Sequence, residues 1–353
     1  MKTIVLTGGG TAGHCAPHYA LLPYLKKNFD KIYYIGSSGI EKTMAINNGL
    51  SFYEINPTKL KRGLYLDNLL IPFKTVKSVN ECVKILKTLK PNVVFSKGGF
   101  VGLPVTVASK KLKIPVIIHE SDYSLGLANK LAMPYAEKLL TTFEKTAYRA
   151  KNSLFVGAII REELLNFNKQ TALKYYGFSG NKPIILITGG SMGAKKLNEL
   201  TISILPKLLK DFNVLHLVGK NNLTNANFNG YKQLEFTDMK YAYAVSDLCI
   251  SRAGSNTAFE IIFNKLPALF IPLPKTESRG DQLENAKFFN EKNLASILYQ
   301  QDATPNVFYD KIISLYNNRN YYINNLNLYS YPLANQKIIE ILNKYWQTPV
   351  VII

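Results

Sequence analysis

A glycine-rich turn near the start of the chain contains the first residues whose types and spacing could do chemistry. The run from Gly8 to His14 (GGGTAGH) directly follows the apolar, β-branched run from Thr3 to Leu6. A short apolar run that ends in glycines and continues as a helix is typical of the first β-α turn of a parallel sheet, where backbone N–H groups face an anion. Because histidine titrates near neutrality, His14 makes this turn a predicted binding site with a candidate proton acceptor.

Two other interpretations of this turn exist. Gly8, Gly10 and Gly13 also fit the G-x-G-x-x-G pattern of dinucleotide-binding folds, which requires an acid at the end of the second strand. The second strand is predicted at 31–35, and the GSSG sequence from Gly36 to Gly39 that follows it contains no acid. A nicotinamide-dependent oxidoreductase is therefore disfavoured. A structural glycine turn followed by a chance histidine stays open.

Length and composition predict two intracellular domains. A chain of 353 residues is long enough for two cores, and no apolar run approaches the roughly 18 residues needed to span a bilayer. The predicted first strand begins after a single lysine, so no signal peptide is expected. The three cysteines have neither metal-ligand spacing nor an even count, which indicates a reducing cytoplasm and predicts no metal site.

The positive charge is concentrated in the first half. Residues 1–156 contain 22 Lys+Arg and 9 Asp+Glu, a net charge of +13, out of +19 for the whole chain. Nucleic acid, an anionic membrane surface and lysine-rich codon usage are three explanations of this excess. Nucleic-acid binding is disfavoured, because neither a helix-turn-helix nor a lysine-aromatic sheet face is found.

Polar side chains also follow two further predicted strands. The strand at 93–95 runs into a second glycine turn, Ser96 to Phe100 (SKGGF), and the strand at 115–118 ends at His119 to Asp122 (HESD). Because open α/β sheets bind ligands at the carboxyl ends of their strands, we expect these turns to converge with the first one. The titratable candidates in that crevice are His14, His119, Glu120 and Asp122.

The segment 59–76 interrupts the β-α alternation. It interleaves large apolar residues with cations (KLKRGLYL, then LLIPFK). The segment is either a loop whose apolar residues fold back into the core, or a membrane-surface patch whose lysines meet anionic lipid. The residues themselves favour neither interpretation.

The second half of the chain begins by repeating the first. The strand 184–187 leads into a glycine turn at 188–194 (TGGSMGA), about 180 residues after the first such turn. This repeat predicts an α/β fold with two Rossmann-like parallel-sheet domains facing a cleft, at 1–157 and 158–332. A final amphipathic helix within 333–353 is expected to pack back onto the first domain.

A second candidate binding turn follows the apolar run from Leu248 to Ile250. Ser255 to Thr257 fall where a helix starts, so they are either ordinary N-caps or ligand contacts. Glu260 lies one turn further on, an arrangement that suits a nucleotide, with its diphosphate at the helix start and its ribose on the acid. Arg161, just after the last strand of the first half, is either a surface ion-pair partner or a phosphate ligand.

Five motifs occur together and in order along nearly the whole chain. They are GGTAGH from Gly9, KGGF from Lys97, HESD from His119 with Asn129-Lys130, GGS from Gly189, and SRAG from Ser251 continuing to Glu260. This set resembles the MurG family, the undecaprenyldiphospho-muramoylpentapeptide β-N-acetylglucosaminyltransferases of bacterial cell-wall synthesis.

The resemblance implies a B-type glycosyltransferase fold that requires neither a cofactor nor a metal. It implies inverting transfer of N-acetylglucosamine from UDP-N-acetylglucosamine to the muramoyl 4-hydroxyl of lipid I, at the cytoplasmic face of the cell membrane, giving lipid II. The expected partners are the donor nucleotide, lipid I and the anionic inner-leaflet surface. The alternative is another UDP-sugar-dependent transferase of this fold that acts on a different lipid or small-molecule acceptor.

Carried over residue by residue, the family pattern also implies site residues. His14 is the implied base, Glu260 the ribose ligand and Gln282 the ligand of the sugar hydroxyls. The implied substrate-binding residues are Thr11, Ala12, Gly13, Asp122, Arg161, Ser191, Gly254, Ser255, Asn256, Thr257, Glu260 and Gln282. Three positions depart from the pattern: Ala12 stands where many members have glycine, Asp122 where many have asparagine, and Asp281 in place of the first of two glutamines.

Overall fold

The computed structural model describes residues 1–58, 71–148, 150–190 and 193–345. The chain divides into two compact units. Unit 1 comprises residues 1–160 together with a returning segment that begins at Tyr331, and unit 2 comprises residues 161–330. Most of the segment 59–76, which carries the membrane prediction, lies outside the described residues, as do Ser191 and the end of the chain beyond residue 345.

Unit 1 contains a seven-stranded sheet in the order β3-β2-β1-β4-β5-β6-β7, with every neighbouring pair parallel. Its strands are β1 Thr3–Thr7, β2 Lys31–Gly36, β3 Ser51–Glu54, β4 Val93–Ser96, β5 Val116–Glu120, β6 Lys138–Thr141 and β7 Ser153–Phe155. Its helices are α1 Ala12–Asn28, α2 Ile40–Asn47, α3 Ile71–Leu89, α4 Gly99–Lys111, α5 Leu127–Ala132, α6 Glu144–Tyr148 and, on the returning segment, α14 Asn335–Asn343.

Unit 2 repeats this arrangement with six parallel strands, in the order β10-β9-β8-β11-β12-β13. Its strands are β8 Ile184–Thr188, β9 Asn213–Leu217, β10 Tyr231–Leu234, β11 Leu248–Ser251, β12 Ala268–Phe270 and β13 Ser296–Ile297. Its helices are α7 Lys169–Tyr176, α8 Lys195–Leu208, α9 Met239–Val245, α10 Ser255–Phe263, α11 Asp281–Glu291, α12 Pro305–Asn317 and α13 Arg319–Leu328.

Both sheets therefore follow the Rossmann strand order, in which the first strand of each unit lies where the winding direction reverses. The predicted fold class, two Rossmann-like parallel-sheet domains, is confirmed. Strands β3 and β13 were not predicted from the sequence, because runs of four and two residues carry too little pattern to identify.

The central strands of unit 1 are covered on both faces, which explains their continuous apolar sequence. In β1, Ile4 and Leu6 point to one face and pack in a cluster with residues of α1 and α14. Val5 points to the opposite face and packs in a cluster with residues of α3 and α4. Alternate residues of a strand face opposite sides, so β1 is fixed between two apolar layers and its carboxyl end is held rigidly.

The returning segment closes unit 1. Asn335, which is buried, accepts a hydrogen bond from Ile160 N–H at 3.2 Å and donates one to Ile160 C=O at 2.8 Å. Gly157 has φ +97°, and a Cβ there would lie 1.9 Å from Pro332 O, so only glycine permits this approach. The α14 helix therefore packs on α1 although about 300 residues separate them in the chain.

Within the described ranges, no helix is both long enough and apolar enough to cross a bilayer.

Candidate functional site

Three turns at the carboxyl edge of the first sheet lie in contact, because β1, β4 and β5 are neighbours in that sheet. A Cβ on Gly99 would lie 2.4 Å from Gly9 O and 3.3 Å from Cδ2 of His14, and Gly99 has φ +74°. A Cβ on Gly98, at φ +77°, would lie 2.5 Å from Oδ1 of Asn129. The second glycine turn is thus enclosed by the first turn on one side and by α5 on the other, and side chains larger than glycine would separate them.

A buried acid, Glu41, holds the first glycine turn. Its carboxylate accepts hydrogen bonds from Gly10 N–H at 3.3 Å, from Ser37 N–H at 3.1 Å and from the Ser37 hydroxyl. A Cβ on Gly9 would lie 2.4 Å from Oε1 of Glu41. No acid directly follows the second strand in the sequence, and the acid that reaches this position comes from the first turn of α2. The anion that the Gly10 N–H faces is therefore a protein carboxylate.

His14 lies where this turn ends, in the first turn of α1. The α1 helix begins at Ala12, and Thr11 precedes it in an extended conformation. Thr11 and Gly13 are exposed, His14 is half-buried, and His14 N–H donates to Thr11 O at 3.1 Å. The neighbouring Cys15 is buried, and burial together with the Glu41 charge raises the pKa of its thiol to about 12. The Cys15 thiol therefore stays protonated at neutral pH, and His14 remains the candidate proton acceptor of this turn.

His119 is not available as a proton acceptor for a bound ligand. It is completely buried, and its Nδ1 accepts a hydrogen bond from the Lys97 ammonium. Burial and the neighbouring Lys97 charge hold the pKa of His119 well below its usual value, so the ring stays neutral. The interpretation of His119 as a titratable site residue is therefore wrong, because the side chain faces the interior beneath the turns.

Glu120 also has a structural position. It is almost fully buried, and its carboxylate accepts hydrogen bonds from Asp122 N–H at 3.1 Å, Gly126 N–H at 2.9 Å and Asn129 Nδ2 at 3.0 Å. A carboxylate with this many donors orders the loop between β5 and α5 and is not open to a ligand. His14 and the half-buried Asp122 remain as the accessible candidates for proton acceptor.

In unit 2, the two charged residues predicted to bind the nucleotide are paired with each other. Arg161 donates to Glu260 through Nε at 2.9 Å and through Nη2 at 3.1 Å, and the Tyr243 hydroxyl donates to the same carboxylate at 3.1 Å. Burial is the largest influence on the pKa of Arg161 and would lower it, but the charge and hydrogen bond of Glu260, with Tyr243 and Glu163, together outweigh burial and raise the pKa. Sequence reasoning missed Tyr243, since nothing local in α9 marks a residue that contacts an acid on α10.

The structure excludes one of the two interpretations of Ser255 to Thr257 at the start of α10. Gly254 is the N-cap residue, and no side chain caps the helix, so the interpretation of Ser255 to Thr257 as N-caps is wrong. These three residues form the first turn of α10, where backbone N–H groups point out of the helix start. Ser255 is buried, whereas Asn256 and Thr257 are half-buried. The helix start therefore presents backbone donors together with short polar side chains.

A cavity of about 390 Å³ in unit 2 is lined by the glycine turn after β8 and by Gln282. Gly189 and Gly193 line it from the turn, and Gly193 has φ +75° with Val218 O 2.2 Å from where a Cβ would be. Ser191, the predicted ligand within this turn, lies outside the described residues. Gln282 accepts a hydrogen bond from Leu273 N–H at 3.1 Å, which fixes its amide. Arg161 and Glu260 do not line this cavity.

Two charged side chains near Gln282 were not assigned roles from the sequence. Arg252, on the lining of the same cavity, donates to Ile271 O at 2.9 Å and to Gln300 Oε1 at 2.6 Å, and Gln300 in turn donates to Glu277 at 2.8 Å. Asp281, the departure from the family pattern, forms an ion pair with Arg279 at 3.4 Å. Arg252 therefore ties the cavity wall to Ile271 and Gln300, while Asp281 is paired with Arg279.

In the part of the chain that the structure describes, no group of three or more His, Cys, Asp or Glu side chains could hold a metal ion.

Comparison with known proteins supports a single family for both units. Residues 4–141 match the glycosyltransferase family 28 N-terminal domain, and residues 184–329 match the glycosyltransferase family 28 C-terminal domain. The chain is 43% identical over 352 residues to the UDP-N-acetylglucosamine--N-acetylmuramyl-(pentapeptide) pyrophosphoryl-undecaprenol N-acetylglucosamine transferase of Clostridium tetani, with 98% of each chain covered. It is 44% identical over 352 residues to the protein of the same name from Clostridium botulinum, covering 98% of this chain and 99% of the relative.

Among solved structures, the fold is similar to the crystal structure of MurG from Acinetobacter baumannii. The TM-score is 0.75 at 26% sequence identity, and the match covers 98% of this chain and 100% of that chain.

Replacing the buried acid Glu41 should loosen the first glycine turn. Glu41→Ala removes the acceptor of the partly buried N–H groups of Gly10 and Ser37, a loss of about 0.5–1.5 kcal/mol for each hydrogen bond. We expect amide hydrogen exchange in the peptides 8–14 and 36–41 to become at least 10-fold faster, while exchange in unit 2 is unchanged. Glu137→Ala, which removes a half-exposed carboxylate of the same unit, is the matched control and should leave exchange unaltered. Unchanged protection of residues 8–14 in Glu41→Ala would contradict this role.

Proposed function

Because the chain belongs to glycosyltransferase family 28, and within it to the MurG enzymes, we propose that it transfers N-acetylglucosamine from UDP-N-acetylglucosamine to lipid I. Lipid I is the muramoyl pentapeptide carried on undecaprenyl pyrophosphate, and the product is lipid II. The observation that carries this conclusion is the full-length identity of 43–44% to transferases of that name, across both family 28 domains.

The Glu260 site in unit 2 suits the ribose of the donor. Its carboxylate is nearly buried and is held in place by the Arg161 guanidinium and the Tyr243 hydroxyl. Two vicinal ribose hydroxyls can donate to one oriented carboxylate, and an oriented acceptor loses little freedom on binding. We assign Glu260 to the ribose and Tyr243 to the orientation of its carboxylate.

The diphosphate is assigned to the neighbouring positive groups. The first turn of α10 supplies backbone N–H donors and the positive end of the helix dipole. Arg161 has five N–H donors, and its two contacts with Glu260 leave donors to face a phosphate. A departing UDP gains negative charge in the transition state, and these groups would stabilise that charge without a metal. Gln282, on the cavity wall, is assigned to the sugar hydroxyls.

His14 in unit 1 is assigned as the base. An inverting transfer requires a group that removes the proton of the acceptor hydroxyl as that oxygen attacks the sugar, and histidine ordinarily titrates at about 6.5. Thr11, Ala12 and Gly13, at the same turn, are assigned to the transferred sugar. The Glu41 carboxylate already occupies the Gly10 N–H, which favours an uncharged ligand such as a sugar at this turn over a phosphate.

The activity is tested by incubating the purified chain with UDP-N-acetylglucosamine and a short-chain lipid I analogue. We expect UDP release that depends on the acceptor, with formation of the disaccharide product by mass spectrometry. UDP release without acceptor, or faster turnover of another UDP-sugar, would contradict the assignment. The second outcome would instead support a transferase of the same fold with a different donor or acceptor.

The base assignment is tested by His14→Ala, with Asp122→Asn as the matched variant. Loss of a general base should lower turnover by about 10² to 10⁴-fold. The affinity for UDP should stay unchanged, because the nucleotide is assigned to unit 2. Asp122→Asn should keep turnover within about 10-fold of the wild-type rate, since it removes only a charge from a sugar contact. If Asp122→Asn abolishes turnover while His14→Ala retains it, the carboxylate is the base and the His14 assignment fails.

We further propose that the chain acts as a peripheral protein at the cytoplasmic face of the cell membrane, with unit 1 in contact with anionic lipid. A lipid-linked acceptor has to be reached at a bilayer surface. Residues 1–156 carry a net charge of +13, which favours an anionic leaflet. The segment 59–76 has the composition of an interfacial patch.

Described residues of unit 1 support the same surface. On α5, Leu127 and Leu131 are 58% and 46% exposed, and the i,i+4 spacing places them on one face of the helix. A cavity of about 460 Å³ lies beside this helix. Its basic lining residues are Lys110, Lys130, Lys138 and Lys151. Exposed leucines next to clustered lysines suit a leaflet with acidic headgroups.

Membrane contact is tested by sedimentation with vesicles of phosphatidylglycerol and phosphatidylcholine. Binding should fall as salt rises, because it is partly electrostatic. Leu69→Ser with Phe73→Ser, and separately Leu127→Ser with Leu131→Ser, should each weaken binding without changing the circular dichroism spectrum. Leu223→Ser with Phe236→Ser removes two exposed apolar side chains of unit 2 and is the matched control. Binding that does not fall with salt and is not weakened in either unit 1 variant would contradict the proposed surface.

A further inference from the structure

Lys97 is a buried ammonium beneath the turns of unit 1. It directly follows β4, and only 2% of the residue is exposed. Its backbone N–H donates to Thr7 O at 2.9 Å, and a Cβ on Gly8 would lie 3.1 Å from Lys97 Cβ. The first glycine turn and the backbone of β1 therefore fix where this side chain begins.

The far end of the side chain crosses to the next strand. Nζ donates to Nδ1 of His119 and to the hydroxyl of Ser121, the latter at 2.6 Å. Ser121 immediately precedes Asp122, whose N–H is held by Glu120. Two buried side chains thus hold the segment that carries Asp122, Glu120 through the Asp122 N–H and Lys97 through the Ser121 hydroxyl.

The titratable side chains that interact electrostatically with Lys97 are Glu120, Asp122, His119 and His18. The carboxylates of Glu120 and Asp122 favour the charged form, whereas burial disfavours it more strongly and lowers the pKa of Lys97 to about 7. His119 on β5 and His18 on α1 are fully buried, and the pKa of each is held well below its usual value by burial and by Lys97. The ammonium is thus the titrating member of this buried group near neutral pH.

A lysine here is unfavourable for stability alone. A buried charge is often less stabilising than an apolar side chain of similar volume, because the charge loses its hydration. The contacts that Lys97 makes with His119 and Ser121 are directional, which an apolar side chain cannot reproduce. The position of Lys97 therefore indicates that its hydrogen bonds fix the geometry of the turns and do not serve stability alone.

We propose that Lys97 is a positioning residue for the transfer reaction, holding the Ser121–Asp122 segment against the glycine turns so that Asp122 meets the sugar at the acceptor side of the site. This inference rests on the proposed function. It goes beyond it by assigning a role to a side chain that does not itself reach the substrate. Loss of the ammonium proton removes one hydrogen-bond donor and leaves Glu120 and Asp122 without their nearby cation. The acceptor-dependent rate should therefore fall as pH rises through about 7.

The first test is Lys97→Met, which keeps the length of the side chain and removes its charge and donors. We expect kcat/KM for a soluble lipid I analogue to fall by about 10 to 100-fold, the effect of a small misplacement near the reacting groups. The Kd for UDP should change less than about two-fold, because the nucleotide is assigned to unit 2. Lys111→Met, an exposed lysine on α4, is the matched control and should leave both constants unchanged.

The second test uses pH profiles, which a merely structural role would not move. Lys97→Arg keeps the positive charge at all accessible pH, so the alkaline limb of kcat/KM should move to higher pH. Ser121→Ala removes an acceptor of the charged form, so the same limb should move to lower pH. If Lys97→Arg does not fold, the Ser121→Ala profile alone decides the question.

An alkaline limb that stays in place in these variants, or wild-type kcat/KM for the acceptor in Lys97→Met, would overturn the positioning role. The two proposals fail separately. If the wild-type chain does not transfer N-acetylglucosamine to the lipid I analogue at all, the proposed function is wrong whatever the variants do.

Discussion

The close approach of the glycine turns after β1 and β4 is the constraint on which the rest of unit 1 depends. Gly99 leaves no room for a Cβ between Gly9 O and the His14 ring, and Gly98 leaves none beside Asn129. Because these turns end neighbouring strands, the sheet order brings them together, and the absence of side chains lets them touch. The position of His14 follows from this contact, since α1 begins where the first turn ends.

Buried charges then stabilise the turns and loops. Glu41 anchors the first turn, Glu120 orders the loop after β5, and Lys97 joins the two regions. In unit 2, the pair formed by Arg161 and Glu260 does the equivalent work at α10. Each of these groups is costly to bury unless its hydrogen bonds are made, so each tolerates little change in its surroundings. In unit 1, the chemistry assigned to the accessible residues therefore depends on Glu41, Glu120 and Lys97, which no ligand reaches.

The two units share a strand order and differ in what lies at their strand ends. In unit 1, the first turn faces a protein carboxylate and presents a histidine, which suits an uncharged sugar and a proton transfer. In unit 2, the corresponding turn lines an open cavity with Arg252 and Gln282, and α10 presents backbone donors near a cation. The same topology therefore presents two different chemistries at its strand ends, because the polar residues on the loops differ while the strand order does not.

The sequence by itself determined the fold class, the repeated β-α turn and the family, because apolar runs ending in glycine turns are local patterns and five motifs occur in register. Residue type and position, together with the family resemblance, also predicted roles for His14, Arg161, Glu260 and Gln282. Only the tertiary structure decided that His119 and Glu120 are buried, that Gly254 and not a hydroxyl residue caps α10, and that Arg161 and Glu260 bind each other. It alone revealed Glu41, Tyr243 and the contacts of Lys97. The reason is that burial and hydrogen-bond partners are set by residues distant in the chain, whereas a local pattern reflects only the conformational preferences of its own segment.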